Sequence, residues 1–252
     1  MMQKMRLKEI VDIIAEMHYV QVDDLARHFG VSTMTIRRDL AQLSKEGKAE
    51  RCHGGARSIQ EVVQEADYAQ KLDQNHDDKV QLARVALSLL RPDDVVYLDS
   101  GTTLCEIARL ISERVPSVVV VTNDLYIASM LADARVSVTI IGGLVSPMTK
   151  SALGRASETF LSQFRFSKAF LGTSCIGRNF DTFSPNYDKA FLKKLAIDLS
   201  EESYLVVDQS KFYGTAMSYV TSLNQYTGVI TNKDFNDEEM ALIHKKGIRL
   251  IK

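Results

Sequence analysis

The sequence is poor in cysteine, and its three, Cys52, Cys105 and Cys175, are odd in number and far apart. They spell neither a disulfide framework nor a zinc spacing, which suits a reducing compartment. No apolar run approaches the roughly 18–20 residues that a membrane helix needs. The charged start, Met1 to Lys8, has no apolar stretch of signal-peptide type behind it. These absences point to a cytoplasmic protein with no membrane partner. A marked excess of charge is also missing, the formal net charge being -1. What is present is ordinary globular material: 252 residues, 45% hydrophobic and 25% charged. That is enough to build a core, in one large domain or in one medium and one small.

The charge is unevenly placed. Between Arg27 and Arg57 there are seven Lys or Arg against three Asp or Glu, a local basic surface on a near-neutral chain and a footprint suited to DNA. Around it the pattern is helical. Ile10, Ile13, Ile14 and Met17 make one apolar stripe. A second short helix follows, with Asp23 or Asp24 near its start, Leu25 and Phe29 four apart, and Gly30 as its stop. Ser32 is a good N-cap for a third helix from about Thr33 to about Lys45. At about 100° per residue, Ile36, Leu40 and Leu43 share an arc of about 60°, while Arg38 falls opposite and Arg37 at the edge. The apolar stripe then docks on the first two helices. Ser32, Thr33, Thr35, Arg37 and Arg38 are left to meet phosphates and base edges in a major groove. The segment Lys48 to Arg57 suits a two-stranded wing, where Arg51, His53 and Arg57 can meet the sugar-phosphate backbone. His53 serves equally as a hydrogen-bonded wing residue.

The run Val31 to Leu40, containing Thr-Ile-Arg-Arg-Asp-Leu, and then His-Gly-Gly-Ala at 53–56, resemble the DeoR family of bacterial regulators. The resemblance implies a recognition helix followed by a wing, a winged helix-turn-helix over 1–57. Residues 58–78 turn polar and acidic and read as a connector. The resemblance also implies an arginine eight residues before a lysine at the sensor's start. Lys71 and Lys79 hold that spacing, so a lysine replaces the arginine and removes its bidentate fork.

From 79 to 252 the pattern alternates. Val95–Leu98, Val118–Val121, Val136–Ile141, Tyr204–Val207, Val229–Ile230 and Ile248–Ile251 read as strands, with helical stretches between most of them. This predicts an α/β domain with a mainly parallel sheet, whose ligands collect at the C-terminal strand ends. There stands Asp99-Ser100-Gly101-Thr102-Thr103, opening a helix. Its glycine, hydroxyls and helix start favour an anion, though the loop lacks a Walker ending. Asn123 suits either reading a sugar hydroxyl or capping the next helix. Gly142 and Gly143 suit close approach to a ligand or a tight turn. Lys211 can neutralise a phosphate or join a surface ion pair, and Asp208 can bind a hydroxyl or orient the lysine. Lys193 shares its helix with Lys189 and Lys194, which suits a solvated face.

The resemblance continues through these landmarks. It implies a sensor related to sugar-phosphate isomerases that takes a phosphorylated sugar or similar metabolite, with ligand roles for Asp99, Thr102, Asn123, Lys193 and Lys211. Ser167 and Cys175-Ile176-Gly177-Arg178-Asn179 depart from the family pattern, while Ser184-Pro185-Asn186 keeps close to it. The expected protein is a repressor of a carbohydrate operon: a homo-oligomer, dimer or tetramer, on double-stranded operator DNA, released by a phosphorylated sugar. No catalytic residue, metal or cofactor is expected. Two other classes compete, an isomerase-like enzyme with an accessory DNA module and a purely architectural DNA binder. Turnover would identify the first, and saturable, stoichiometric phosphosugar binding would exclude the second.

Overall fold

A computed structural model describes residues 2–17, 19–52, 54–57, 63–114 and 117–252. They fall into two compact units, Met1–Glu61 and Val62–Lys252.

The first unit runs α1 (Met2–Met17), β1 (Tyr19–Gln21), α2 (Val22–Phe29), α3 (Thr33–Lys45), β2 (Glu50–Cys52) and β3 (Gly55–Arg57). Gly30 closes α2 in the left-handed conformation at φ 61°, which a residue without Cβ adopts freely. Ser32 then opens α3, its side chain accepting from the Thr35 amide, so one of the orphan donors at the helix start is satisfied. Ile36, Leu40 and Leu43 are buried with Ile10, Ile14 and Leu25 in one cluster. Met17, the fourth member of the expected α1 stripe, is instead 64% exposed. The wing has a third strand: β3 pairs antiparallel with β2 on one side and with β1 on the other.

The second unit continues with α4 (Tyr68–Leu72), α5 (His76–Ser88), β4 (Val95–Leu98), α6 (Thr102–Arg114), β5 (Val119–Thr122), α7 (Leu125–Asp133) and β6 (Ser137–Ile140). Next come β7 (Leu144–Ser146), β8 (Ser151–Leu153), α8 (Arg155–Leu161), β9 (Phe166–Leu171), β10 (Cys175–Ile176), β11 (Asp181–Ser184) and α9 (Tyr187–Asp198). The chain closes with β12 (Ser200–Val206), β13 (Ser218–Ser222), β14 (Gly228–Ile230), α10 (Asp237–Lys246) and β15 (Leu250–Ile251). Seven strands form one sheet in the order β15-β14-β12-β9-β4-β5-β6, and every pairing in it is parallel. Both faces are covered, as a parallel sheet requires. Val96, Leu98, Val120 and Phe170 pack with Leu82, Ile107 and Ile127 on one side. Tyr97, Val121, Ala169 and Leu205 pack with Leu192, Ala196 and Ile243 on the other. The period-2 alternation within β4 is the ordinary signature of a strand buried on both faces. No helix among the described residues is long and apolar enough to cross a membrane.

The stretch expected to be connector, 58–78, already carries α4 and the first turn of α5 from Tyr68 onward. Positions 58–62 lie outside the described residues.

The central strand β9 escapes a search for apolar runs because Ser167 and Lys168 interrupt it. Both are used at the N-terminal end of the sheet. The Ser167 hydroxyl donates to the Val95 carbonyl at 3.1 Å and accepts from the Val95 amide at 3.0 Å. Lys168 donates to both carboxylate oxygens of Asp94, at 3.1 and 2.8 Å, and both side chains are buried. Burial opposes ionisation of Asp94. Lys168, the Arg91 amide and Ser167 outweigh it and hold the carboxyl below its usual range.

Replacing Lys168 by Met should therefore strand a buried carboxylate and lower stability by about 3–5 kcal/mol, read by urea unfolding at neutral pH. A depressed folded pKa contributes stability above the unfolded value and loses it as pH falls. The gap between wild type and K168M should thus close on acidification toward the ordinary Asp range. A gap independent of pH would rule out this ion pair as its source.

Candidate functional site

The first unit presents a basic face. Ile36, Asp39, Leu40 and Leu43 turn α3 inward, and Arg37 and Arg38 remain exposed, with Ser32 and Thr33 exposed and Thr35 half-buried. Buried Asp39 accepts from the Arg6 Nε at 2.6 Å and from Gln3 at 3.3 Å, which fixes α3 against α1. Arg37 and Arg51 line one groove between α3 and the wing hairpin. Arg57 also lies on the wing, but its guanidinium donates to Glu50 at 2.9 Å. His53 lies outside the described residues.

The second unit has a cavity at the C-terminal edge of its sheet. The chain leaves β4 toward β5 and β6 and returns to β9 on the other side of β4. The β4–β9 boundary is therefore the switch point, where an open parallel sheet offers a crevice to ligands. Ser100, Gly101, Thr102 and Thr103 line the cavity, as do Lys193, Asp208 and Lys211. Seven of the residues expected to hold an effector thus line one cavity. The hydroxyls of Ser100, Thr102 and Thr103 make no hydrogen bond among the described residues, and the unpaired amides of the α6 start lie beside them. The Gly101 amide donates to Asp124 at 3.2 Å, which anchors the loop. Burial, together with the charge of Asp99, pushes the Asp124 carboxyl up to about 6 against three amide hydrogen bonds.

Asp99 lies beneath this wall. It is buried and paired with Lys193, and its Oδ2 accepts from the Gly172 amide at 3.1 Å. Lys193 also donates to the Gly172 carbonyl at 2.9 Å. This internally satisfied set ties α9 to the ends of β4 and β9. The solvated face read for this helix is corrected: Lys189 and Lys193 are buried, and of the three lysines only Lys194 is exposed.

Three expected effector residues are placed elsewhere. Asn123 is buried, accepting from the Tyr97 hydroxyl at 3.2 Å and donating to the Ala152 carbonyl at 3.1 Å. The cap of α7 is Asp124, not Asn123. A Cβ on Gly143 would lie 2.1 Å from the Ser157 hydroxyl oxygen and 2.7 Å from the Leu153 carbonyl, so the glycine serves the packing of β8 and α8. The Gly142 carbonyl accepts from Ser157 at 2.8 Å.

The cavity also holds residues that the sequence reading did not single out as effector ligands: Glu65, Lys71, Asn75, Lys79, Thr173 and Lys189. Lys79 is buried and donates to the carbonyls of Lys71 and Leu72. Burial pushes its ammonium down, partly opposed by Asp208 and reinforced by Lys211. Asn75 donates to Asp208 at 3.2 Å. The five lysines lining this cavity, Lys71, Lys79, Lys189, Lys193 and Lys211, face the carboxylates Glu65, Asp208 and Asp99, leaving an excess of positive charge. A signal for the buried ones existed. Lys79 heads the stripe Lys79, Leu82, Ala83, Ala86, and Lys189 heads Lys189, Leu192, Lys193, Ala196, both at core-facing helical spacing.

Comparison with known proteins agrees with both units. Residues 6–62 match the DeoR-like helix-turn-helix domain, and residues 74–233 match the DeoR C-terminal sensor domain. The HTH-type transcriptional regulator FruR of Bacillus subtilis is 33% identical over 89% of this chain and 89% of its own. The lactose phosphotransferase system repressor of Staphylococcus aureus is 28% identical over 98% of each chain. Among solved structures, ribose 5-phosphate isomerase A of Methanocaldococcus jannaschii covers 55% of each chain with a TM-score of 0.42 and 16% identity, a likeness too remote to speak of activity. The chain belongs to the DeoR family of transcriptional regulators.

Proposed function

We propose that this regulator is a repressor of a carbohydrate operon, released from its operator when a phosphorylated sugar or related metabolite enters the cavity at the sheet's C-terminal edge. The observation that carries the reading is the cavity's chemistry. Free hydroxyls and a helix start stand among lysines that outnumber the carboxylates, as an anionic, hydroxyl-bearing ligand requires. A basic helix and wing in the other unit supply the reader of DNA. The relatives point the same way, one of them being a repressor of a lactose phosphotransferase system.

The isomerase alternative has Asp99 and Asp208 as its candidate bases. Asp99 is committed to Lys193 and the Gly172 amide, and Asp208 accepts from the Ser210 amide and Asn75. These contacts engage one oxygen of each carboxylate, Oδ2 of Asp99 and Oδ1 of Asp208, so the case against turnover rests on the relatives, which are transcriptional regulators and repressors. The purely architectural alternative leaves the cavity without a purpose.

In this reading two or more chains associate and set their heads on repeated half-sites in the cytoplasm. A hundredfold loss of DNA affinity on ligand binding needs about 2.7 kcal/mol of coupling.

Fluorescence anisotropy of DNA from the gene's upstream region, titrated at fixed salt with a panel of sugar phosphates and their unphosphorylated parents, tests the proposal. Release by one phosphorylated sugar and not by its parent is the expected result. Tight, specific binding that no panel member weakens would count against it. Arg38→Ala should weaken operator binding by about 10–100-fold and leave ligand binding in place. Lys211→Ala should leave operator binding in place and raise the concentration needed for release by about tenfold or more. Normal release from K211A would remove Lys211 from the site.

A further inference from the structure

Glu65 is the one carboxylate in the cavity wall that comes from the chain's entry into the second unit, which begins at Val62. Its two oxygens hold two lysines from different elements: Oε1 lies 3.1 Å from Lys71, on α4, and Oε2 lies 3.1 Å from Lys189, on α9. The neighbours Gln64 and Ala66 are exposed, while Glu65 turns inward. Burial opposes its ionisation, and the two ammonium groups outweigh that and hold it below the usual carboxylate range. Lys189 is buried, and Glu65 is the sole carboxylate within ion-pair distance of it among the described residues. Leaving such a charge without an acceptor is costly, so the charged lysine favours an anion beside it.

Among the described residues, two further contacts flank Glu65 on this stretch. The Val63 amide donates to the Thr215 carbonyl at 2.7 Å. The next firm anchor is Tyr68, which is buried, stacks on Tyr126 at 4.8 Å and donates its amide to the Met148 carbonyl at 2.9 Å. Between the two, Asp67 caps α4 through the Ala69 amide at 2.8 Å, and Glu65 supplies the ion pairs to the cavity's lysines.

We infer that Glu65 is an internal anion that occupies the Lys71–Lys189 pair when no effector is bound, and that an entering phosphate displaces it and frees residues 63–67. The inference rests on the reading of the cavity as an anion sensor and adds the means by which occupancy becomes a signal. The freed segment is the one that leads back along the chain to the DNA-reading unit. The exchange is nearly balanced, one anion replacing another on the same ammonium groups, so the lysines stay paired in both states. A ligand that made no use of Lys71 and Lys189 would leave the latch closed.

Hydrogen exchange on the full-length protein, with inorganic phosphate as the probe and sodium chloride at matched ionic strength as the control, tests the displacement. Phosphate should quicken exchange at residues 63–67 and slow it at 100–104. Protection of 63–67 by phosphate would overturn the inference, since Glu65 would then be closing over the ligand. Glu65→Gln keeps the shape and removes the competing charge, so phosphorus NMR titration should show phosphate bound about tenfold more tightly than by wild type. Equal or weaker binding by E65Q, with Lys211→Ala still weakening it, would sink the latch and spare the sensor. Phosphate binding to neither wild type nor E65Q would overturn both.

Discussion

A buried ammonium group must have an acceptor, and this requirement organises the sensor. Lys79, Lys189 and Lys193 sit on the core-facing stripes of two helices, where an apolar residue would have served packing better. Each is accommodated differently. Lys193 is neutralised by Asp99 and joins the ends of two central strands. Lys79 donates to the carbonyls of Lys71 and Leu72 at the end of α4, and Lys189 pairs with Glu65. Burial works against the charge of both Lys79 and Lys189. Both lysines therefore favour negative charge beside them. The all-parallel sheet makes this possible, because it brings the loop after β4 and the turn after β9 to the same edge, at the strand-order reversal.

The same rule of pairing appears at the opposite end of the sheet with another outcome. There Asp94 and Lys168 satisfy each other, helped by the Arg91 amide and Ser167. The result is a structural clamp under the two strands whose other ends carry the site. In the DNA-reading unit, Asp39 plays a comparable part. It lies on the inward side of α3 and accepts from Arg6 and Gln3, while the neighbouring Arg37 and Arg38 stay outside. One run of three charged residues thus divides between holding the helix and presenting it.

Much of this was legible in the sequence because local chemistry and the observed structure agree. Ser32 before a periodic apolar run specifies the start of α3, and β-branched runs between helical stretches specify a parallel sheet. The Ser100–Thr103 loop was visible because glycine and hydroxyls at a strand end have few other uses. What escaped depends on tertiary partners. β9 was hidden by Lys168, whose carboxylate lies far away in the chain at Asp94. Asp39 lies on the apolar arc of α3, and Lys79 and Lys189 on those of α5 and α9. A charge on an apolar stripe was the readable sign of a buried pair or a ligand site. Asn123 and Gly143 went the other way: both stand at strand ends, as ligand residues do, but the Ala152 carbonyl and the Ser157 side chain claim the space around them. Strand-end position alone did not separate a residue facing the crevice from one packed beside it.

The central claim is that DNA and an anionic effector compete through one protein. Linkage makes this reciprocal: a ligand that lowers operator affinity by a given factor must itself bind more weakly, by that factor, when operator is present. The most direct measurement is calorimetric titration of the releasing sugar phosphate into the full-length protein, alone and saturated with operator, at one salt concentration. The account predicts weaker sugar-phosphate binding in the presence of operator, by the same factor as the loss of operator affinity seen with ligand. Equal sugar-phosphate affinity with and without operator would contradict it.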